Sequence, residues 1–167
     1  MERMELDVLM IRINGCMGSG RYAEARRMLE QVLVAEPSHG VAHGMMGWIC
    51  WALLDDHERA LVHFRCAVRW APGHVNTWMH YLGLLAGDGR EEELHAACQR
   101  ALAVPGIDRS AVHALVANFL ERSGRRSEAL AQYRFALQAA TSAGSEQEFR
   151  AQVRRLRRRA WLARLRS

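Results

Sequence analysis

Apolar residues three and four positions apart recur along most of this chain. Ala25, Leu29 and Val32 form one such set, Ala60, Phe64 and Ala67 a second, Leu94, Cys98 and Ala101 a third, and Ala129, Tyr133 and Ala136 a fourth. That spacing puts each set on one face of an α-helix. Successive sets lie 34 or 35 residues apart, the period of stacked helix pairs. Each set therefore predicts the second (B) helix of a pair, near 21–36, 57–71, 91–104 and 126–141. The first (A) helices are expected near 4–18, 40–54, 75–87 and 110–123. A ninth helix is expected over 146–166.

Breaker residues fall where this scheme needs them. Pro37, Pro72 and Pro105 each follow a B helix, which proline cannot continue. Gly20, Gly89 and Gly124 mark turns between A and B helices. The second pair has Asp55-Asp56 there, a usable turn and cap without glycine. Ser38 and Asp108 are expected to cap the helices that follow them. Gly144 should end the fourth pair, and Ser145 to Glu148 reads as a capping box.

These residues carry a resemblance to the tetratricopeptide repeat family, whose signature is W-x2-L-G-x2-Y, then A-x3-F, then P. Ala25/Leu29/Pro37, Ala60/Phe64/Pro72 and Ala129/Tyr133 match its second half, and Leu94/Cys98 is a looser copy. Trp78 takes the tryptophan place in the third repeat. The first half is otherwise irregular. Ala117 alone is small where the family prefers glycine, and Ile13, Trp48 and Leu82 are bulky. Bulk there should push the A and B helices apart or rotate the A helix by a residue. The resemblance implies an all-α solenoid, a right-handed superhelix of four repeats over 6–39, 41–74, 75–108 and 110–143. Residues 145–167 would add a capping helix to this single domain.

It also implies that the A helices line a concave groove that holds another protein or peptide. The inward positions would include Met10, Asn14, Met17, Met45, Met46, Ile49, Leu53, Met79, His80 and Asn118. Methionine is unbranched and polarizable, so such a face can repack around varied apolar segments. The basic clamp with which some members hold an acidic carboxyl-terminal tail is missing. Met10, Met46, Asn76 and His80 stand in its places, beside a matching Asn14. The function expected is a scaffold or chaperone-like adaptor holding an apolar or amphipathic segment. Self-association through an exposed groove is an alternative.

Charge changes the picture at one end only. Residues 145–167 contain eight arginines and two glutamates, and the other 144 residues contain fifteen arginines and sixteen acids, so +6 and −1 make up the net +5. Phe149, Val153, Leu156, Ala160 and Ala163 form an apolar stripe on this last helix, with Trp161 and Leu165 beside it. Arg150, Arg154, Arg157 and Arg158 are the candidates for a second alternative, a contact with nucleic acid or another anionic surface. Nucleic acid is disfavoured, because Trp161 is the lone aromatic among the arginines and no recognition motif appears.

The remaining chemistry is sparse. His39 and His43 are four apart but lack a third ligand, so capping or solvation is expected rather than a metal. Gly15, Gly18 and Gly20 follow a helical segment, not a strand, which argues against a phosphate loop. No nucleophile–base pairing emerges, so neither an enzyme nor a cofactor is expected. Cys16, Cys50, Cys66 and Cys98 all fall within predicted helices, with no Cys-x-x-Cys pair. That usage, and the absence of a secretory signal or of an apolar run of about 20 residues, point to a cytoplasmic protein.

Overall fold

Leucine, alanine and arginine dominate a chain with three prolines, and helices result. A computed structural model describes residues 3–164. Among these residues the elements are α1 (Arg3–Gly18), α2 (Tyr22–Ala35), α3 (Gly40–Ala52), α4 (His57–Trp70), α5 (Val75–Gly87), α6 (Glu91–Leu102), α7 (Arg109–Arg122), α8 (Arg126–Ala139) and α9 (Ala143–Arg164), with no strand. The chain divides into two compact units, Met1–Leu84 and Leu85–Ser167, with the division inside α5. In the first unit α1 packs on α2, α2 on α3, and α3 on α4; in the second α6 packs on α7, α7 on α8, and α8 on α9.

The B-helix sets form the core as the periodicity predicts. Ala25, Leu29 and Val32 are fully buried, as are Ala60, Phe64 and Ala67, and Ala129 and Ala136. Three of the four turns share one geometry. A glycine at positive φ (Gly20, Gly89, Gly124) precedes a residue whose N–H returns to a carbonyl five positions back. The pairs are Arg21 to Cys16 (2.9 Å), Arg90 to Leu85 (3.0 Å) and Arg125 to Leu120 (2.9 Å). This closure satisfies the orphaned carbonyls at the helix end.

The second pair differs by one residue. Asp56 N–H reaches back six positions, to the Cys50 carbonyl at 2.9 Å, and Asp55 adopts the left-handed conformation at φ 53°. The extra residue shifts α3 relative to α4. Trp48 therefore does not occupy the small-residue position expected of it; Gly47 does. A Cβ on Gly47 would lie 2.8 Å from Cδ1 of the buried Phe64 ring. In the fourth repeat, without the extra residue, the fully buried Ala117 keeps the expected place.

Two caps also move. His39, not Ser38, caps α3, its Nδ1 accepting from the Ala42 N–H at 3.1 Å. Ser142, not Ser145, opens α9, its Oγ accepting from Ser145 N–H at 3.1 Å, so Gly144 lies inside that helix. Asp108 caps α7 as expected, accepting from Ala111 N–H at 3.0 Å. The Ser110 hydroxyl bonded to Asp108 holds its carboxyl below the usual range.

Candidate partner-binding groove

The one-residue shift decides which side chains of α3 reach the surface. Met46 and Ile49, expected in the groove, are only 3% and 2% exposed. They belong to the core, because rotating α3 by a residue turns them inward. Met45 and Trp48 turn outward instead and are half-buried.

Together with α1, the start of α2 and the first turns of α5, they form an open pocket of about 470 Å³ in the first unit. Asn14 and Met17 come from α1, Tyr22 from α2, and Asn76 and His80 from α5. The pocket is built around a run of rings. Tyr22 and Trp48 have centroids 5.4 Å apart, and His80 lies 6.4 Å from both Trp48 and Trp51. Close helix packing supports this wall. A Cβ on Gly44 would collide with Thr77 Oγ1, and one on Gly83 would lie 3.1 Å from the Trp51 ring. Thr77 Oγ1 is itself 2.7 Å from His74 Nδ1.

The lining holds no carboxylate, guanidinium or ammonium group. Burial, and secondarily repulsion from the nearby His74 ring whenever that ring is protonated, push His80 below the ordinary histidine range, so it presents a neutral ring at pH 7. Amides and rings over an apolar floor suit an apolar or amphipathic segment, and supply no guanidinium or ammonium group to clamp a carboxylate.

Of the residues named from sequence, Asn14, Met17, Met45 and His80 come together here. Met10 and Met79 are half-buried and lie outside the pocket lining. Leu53 is exposed at the carboxyl cap of α3. Asn118 lies on α7 in the second unit and accepts a hydrogen bond from the Tyr133 hydroxyl at 2.6 Å, a link between α7 and α8. Sequence reasoning missed Tyr22, Trp48, His74 and Thr77. The signal for Trp48 was present in Gly44 and Gly47, whose spacing marks the inward face of α3.

The last helix separates its two faces. Phe149, Val153 and Leu156 are buried, and α9 packs on α8. Arg155 makes a two-point contact with Glu121 at 2.7 and 2.5 Å, and Arg159 reaches the same carboxylate at 3.5 Å. The stripe ends there, since Ala160 is exposed. Arg150 pairs with Glu146 along the helix. Arg154, Arg157 and Arg158 are exposed and have no partner among the described residues. The side chains of Ala163 and Arg164, together with Leu165 and Arg166, lie outside the described residues.

No protein-family model matches the sequence, and no curated protein matches it. Solved structures do match the fold. PilF of Pseudomonas aeruginosa superposes with a TM-score of 0.75 at 19% identity, over 96% of this chain and 72% of that one. A thermophilic TPR protein of Thermus thermophilus, TTC0263, gives 0.64 at 19% identity, over 90% and 80%. The fold is the tetratricopeptide repeat. PilW, described as a widely conserved type IV pilus biogenesis factor, gives 0.69 at 20% identity, over 83% of this chain and 63% of its own length. This chain thus spans less than two thirds of PilW. Among the described residues no three metal-ligating side chains cluster, and no helix is long and apolar enough to cross a membrane.

Proposed function

We propose that this repeat protein is a protein-interaction scaffold or chaperone-like adaptor, acting in the cytoplasm. Its groove holds an apolar or amphipathic segment of another protein against Met17, Met45, Trp48 and His80. The observation that carries this reading is the pocket, lined by no carboxylate, guanidinium or ammonium group, built around the Tyr22–Trp48–His80 rings. Rings of this size add contact area at low entropic cost, and the flanking methionines adapt to the segment. The fold shared with the thermophilic TPR protein supports a binding role, because stacked repeats present extended concave surfaces.

Peptides selected from a random display library on the intact chain are expected to be rich in aromatic and aliphatic residues. Trp48→Glu should weaken their binding by tenfold or more in fluorescence anisotropy, with helix content unchanged by circular dichroism. Selection of acidic peptides, or full binding by Trp48→Glu, would sink the groove reading.

The exposed guanidiniums of Arg154, Arg157 and Arg158, without a partner among the described residues, favour a second reading, in which α9 contacts an anionic surface. Retention on a heparin column is then expected to fall steeply with added salt and to be lost in the triple Arg→Gln variant.

A further inference from the structure

We propose that the end of α9 in one copy of this chain docks into a pocket of the second unit of another copy, joining copies head to tail. The proposal rests on the reading of α9 as an anion-seeking surface and names its acceptor.

The acceptor is a pocket of about 300 Å³ walled by α6, α7 and α8. Leu94, Cys98, Val112, Val116 and Phe119 give it an apolar floor. Burial pushes the Cys98 thiol up to about 12, so no thiolate charge forms there at neutral pH. The polar groups sit at the mouth. Gln132 is bonded to His113 at 2.9 Å, and at one end Arg125 is shared between Glu91 and Glu128. Carboxylates therefore outnumber the one guanidinium around an apolar hole the size of a single large side chain.

The donor has the opposite character. Trp161 and Leu162 are 60% and 39% exposed at a point where α9 has run past its buried contacts. Arg157 and Arg158, without a partner among the described residues, lie four and three residues before Trp161, about one helical turn away. An indole led by two free arginines complements an apolar pocket rimmed by glutamates in both shape and charge. The same charges set the symmetry. A two-fold contact between α9 helices would face arginine against arginine, whereas basic end against acidic mouth leaves a live donor and a live acceptor at the two ends of every dimer. Such a heterologous contact propagates.

Light scattering on the full chain, from low micromolar to near-millimolar concentration, tests this. The weight-average mass is expected to climb past that of a dimer and to fall again with added salt. Trp161→Glu removes the donor, and Glu91→Arg with Glu128→Arg removes the acceptor. All three positions are exposed, so the folded core is untouched. Each variant alone should stay a single chain, and an equimolar mixture should form a dimer and nothing larger. A wild type that stays monomeric throughout, a Trp161→Glu variant that assembles like wild type, or a mixture that stays monomeric overturns the head-to-tail contact. Heparin binding separates the two claims. If the chain fails to assemble yet is retained in a salt-sensitive way, the acceptor is wrong and the broader reading of α9 stands. Absence of retention overturns that broader reading as well.

Discussion

Phe64→Ala is expected to cost about 3–5 kcal/mol of unfolding free energy in chemical denaturation, the range for removing a fully buried aromatic side chain. Phe64 has no exposed surface and contacts the Tyr81 ring, with centroids 6.0 Å apart. Its neighbour across α3 makes the sharper test. Gly47→Ala improves intrinsic helix propensity by roughly 1 kcal/mol. Yet its new Cβ would stand 2.8 and 2.9 Å from two atoms of the ring. The ring is rigid and enclosed, so relieving that overlap costs about 1–3 kcal/mol and the substitution should be net destabilising. With Phe64 already replaced by alanine, the obstacle is gone and the same Gly47→Ala change should become stabilising. A double-mutant cycle reads this change of sign directly. Equal effects in both backgrounds would show that Gly47 is not held small by Phe64, and that the one-residue shift of α3 has another cause.

That shift also separates what was legible in the sequence from what was not. The B helices were legible because their signal is local. The apolar residues face one packed neighbour, and the closing proline and opening turn follow in fixed order. The phase of α3 was not local, since it depends on how many residues the turn before α4 consumes. Asp55 stands at positive φ where the other turns use glycine. A family alignment that assumes a uniform turn then counts one residue short, assigns the small position to Trp48, and sends Met46 and Ile49 outward. Read inside α3 alone, Gly40, Gly44 and Gly47 lie at helical spacing, and each would set a Cβ against a neighbour: Ala71, Thr77 and Phe64. The glycines of α3 thus mark its inward face better than the family register does.

The candidate groove was legible in character but not in detail. Met17, Met45 and His80 follow from the repeat, and the missing basic clamp follows from Asn76 and His80 standing in its places. The aromatic row does not follow, because Tyr22 sits at the start of a B helix and meets Trp48 only through the α2–α3 packing. On α9, the apolar stripe located the buried face, and Glu121 on α7 decided which arginines are tied down. A sequence pattern along one helix contains no information about that carboxylate.

Acid should weaken the first unit through a histidine pair. His43 of α3 and His63 of α4 bring their Nδ1 atoms to 2.9 Å, and His43 Nε2 lies 3.0 Å from the Pro37 carbonyl oxygen. A carbonyl only accepts, so His43 Nε2 carries a proton and donates to it. Its Nδ1 is then the acceptor for His63 Nδ1–H. Burial, then repulsion from the His43 ring once acid protonates it, then Arg59, lower His63 to about 4. The folded state thus resists a proton that the unfolded chain takes up near 6.5. Between those values the unfolded state binds more protons, so stability rises with pH there. The contribution is complete above about 6.5, is lost as pH falls toward about 4, and changes no further below that. A shift of this size corresponds to roughly 3 kcal/mol at most, and the partial exposure of His63 reduces it to about 1–2 kcal/mol. His63→Gln removes the titration and keeps a hydrogen-bond donor toward His43. Denaturation measured at pH 7 and pH 4 should therefore show wild type losing about 1–2 kcal/mol more than His63→Gln over that interval. Asp108 and Glu128, both held below the usual carboxylate range, are present in both proteins and cancel in the difference. Parallel losses in the two proteins would mean that His63 takes its proton as readily folded as unfolded, and that the pair exerts no pH control.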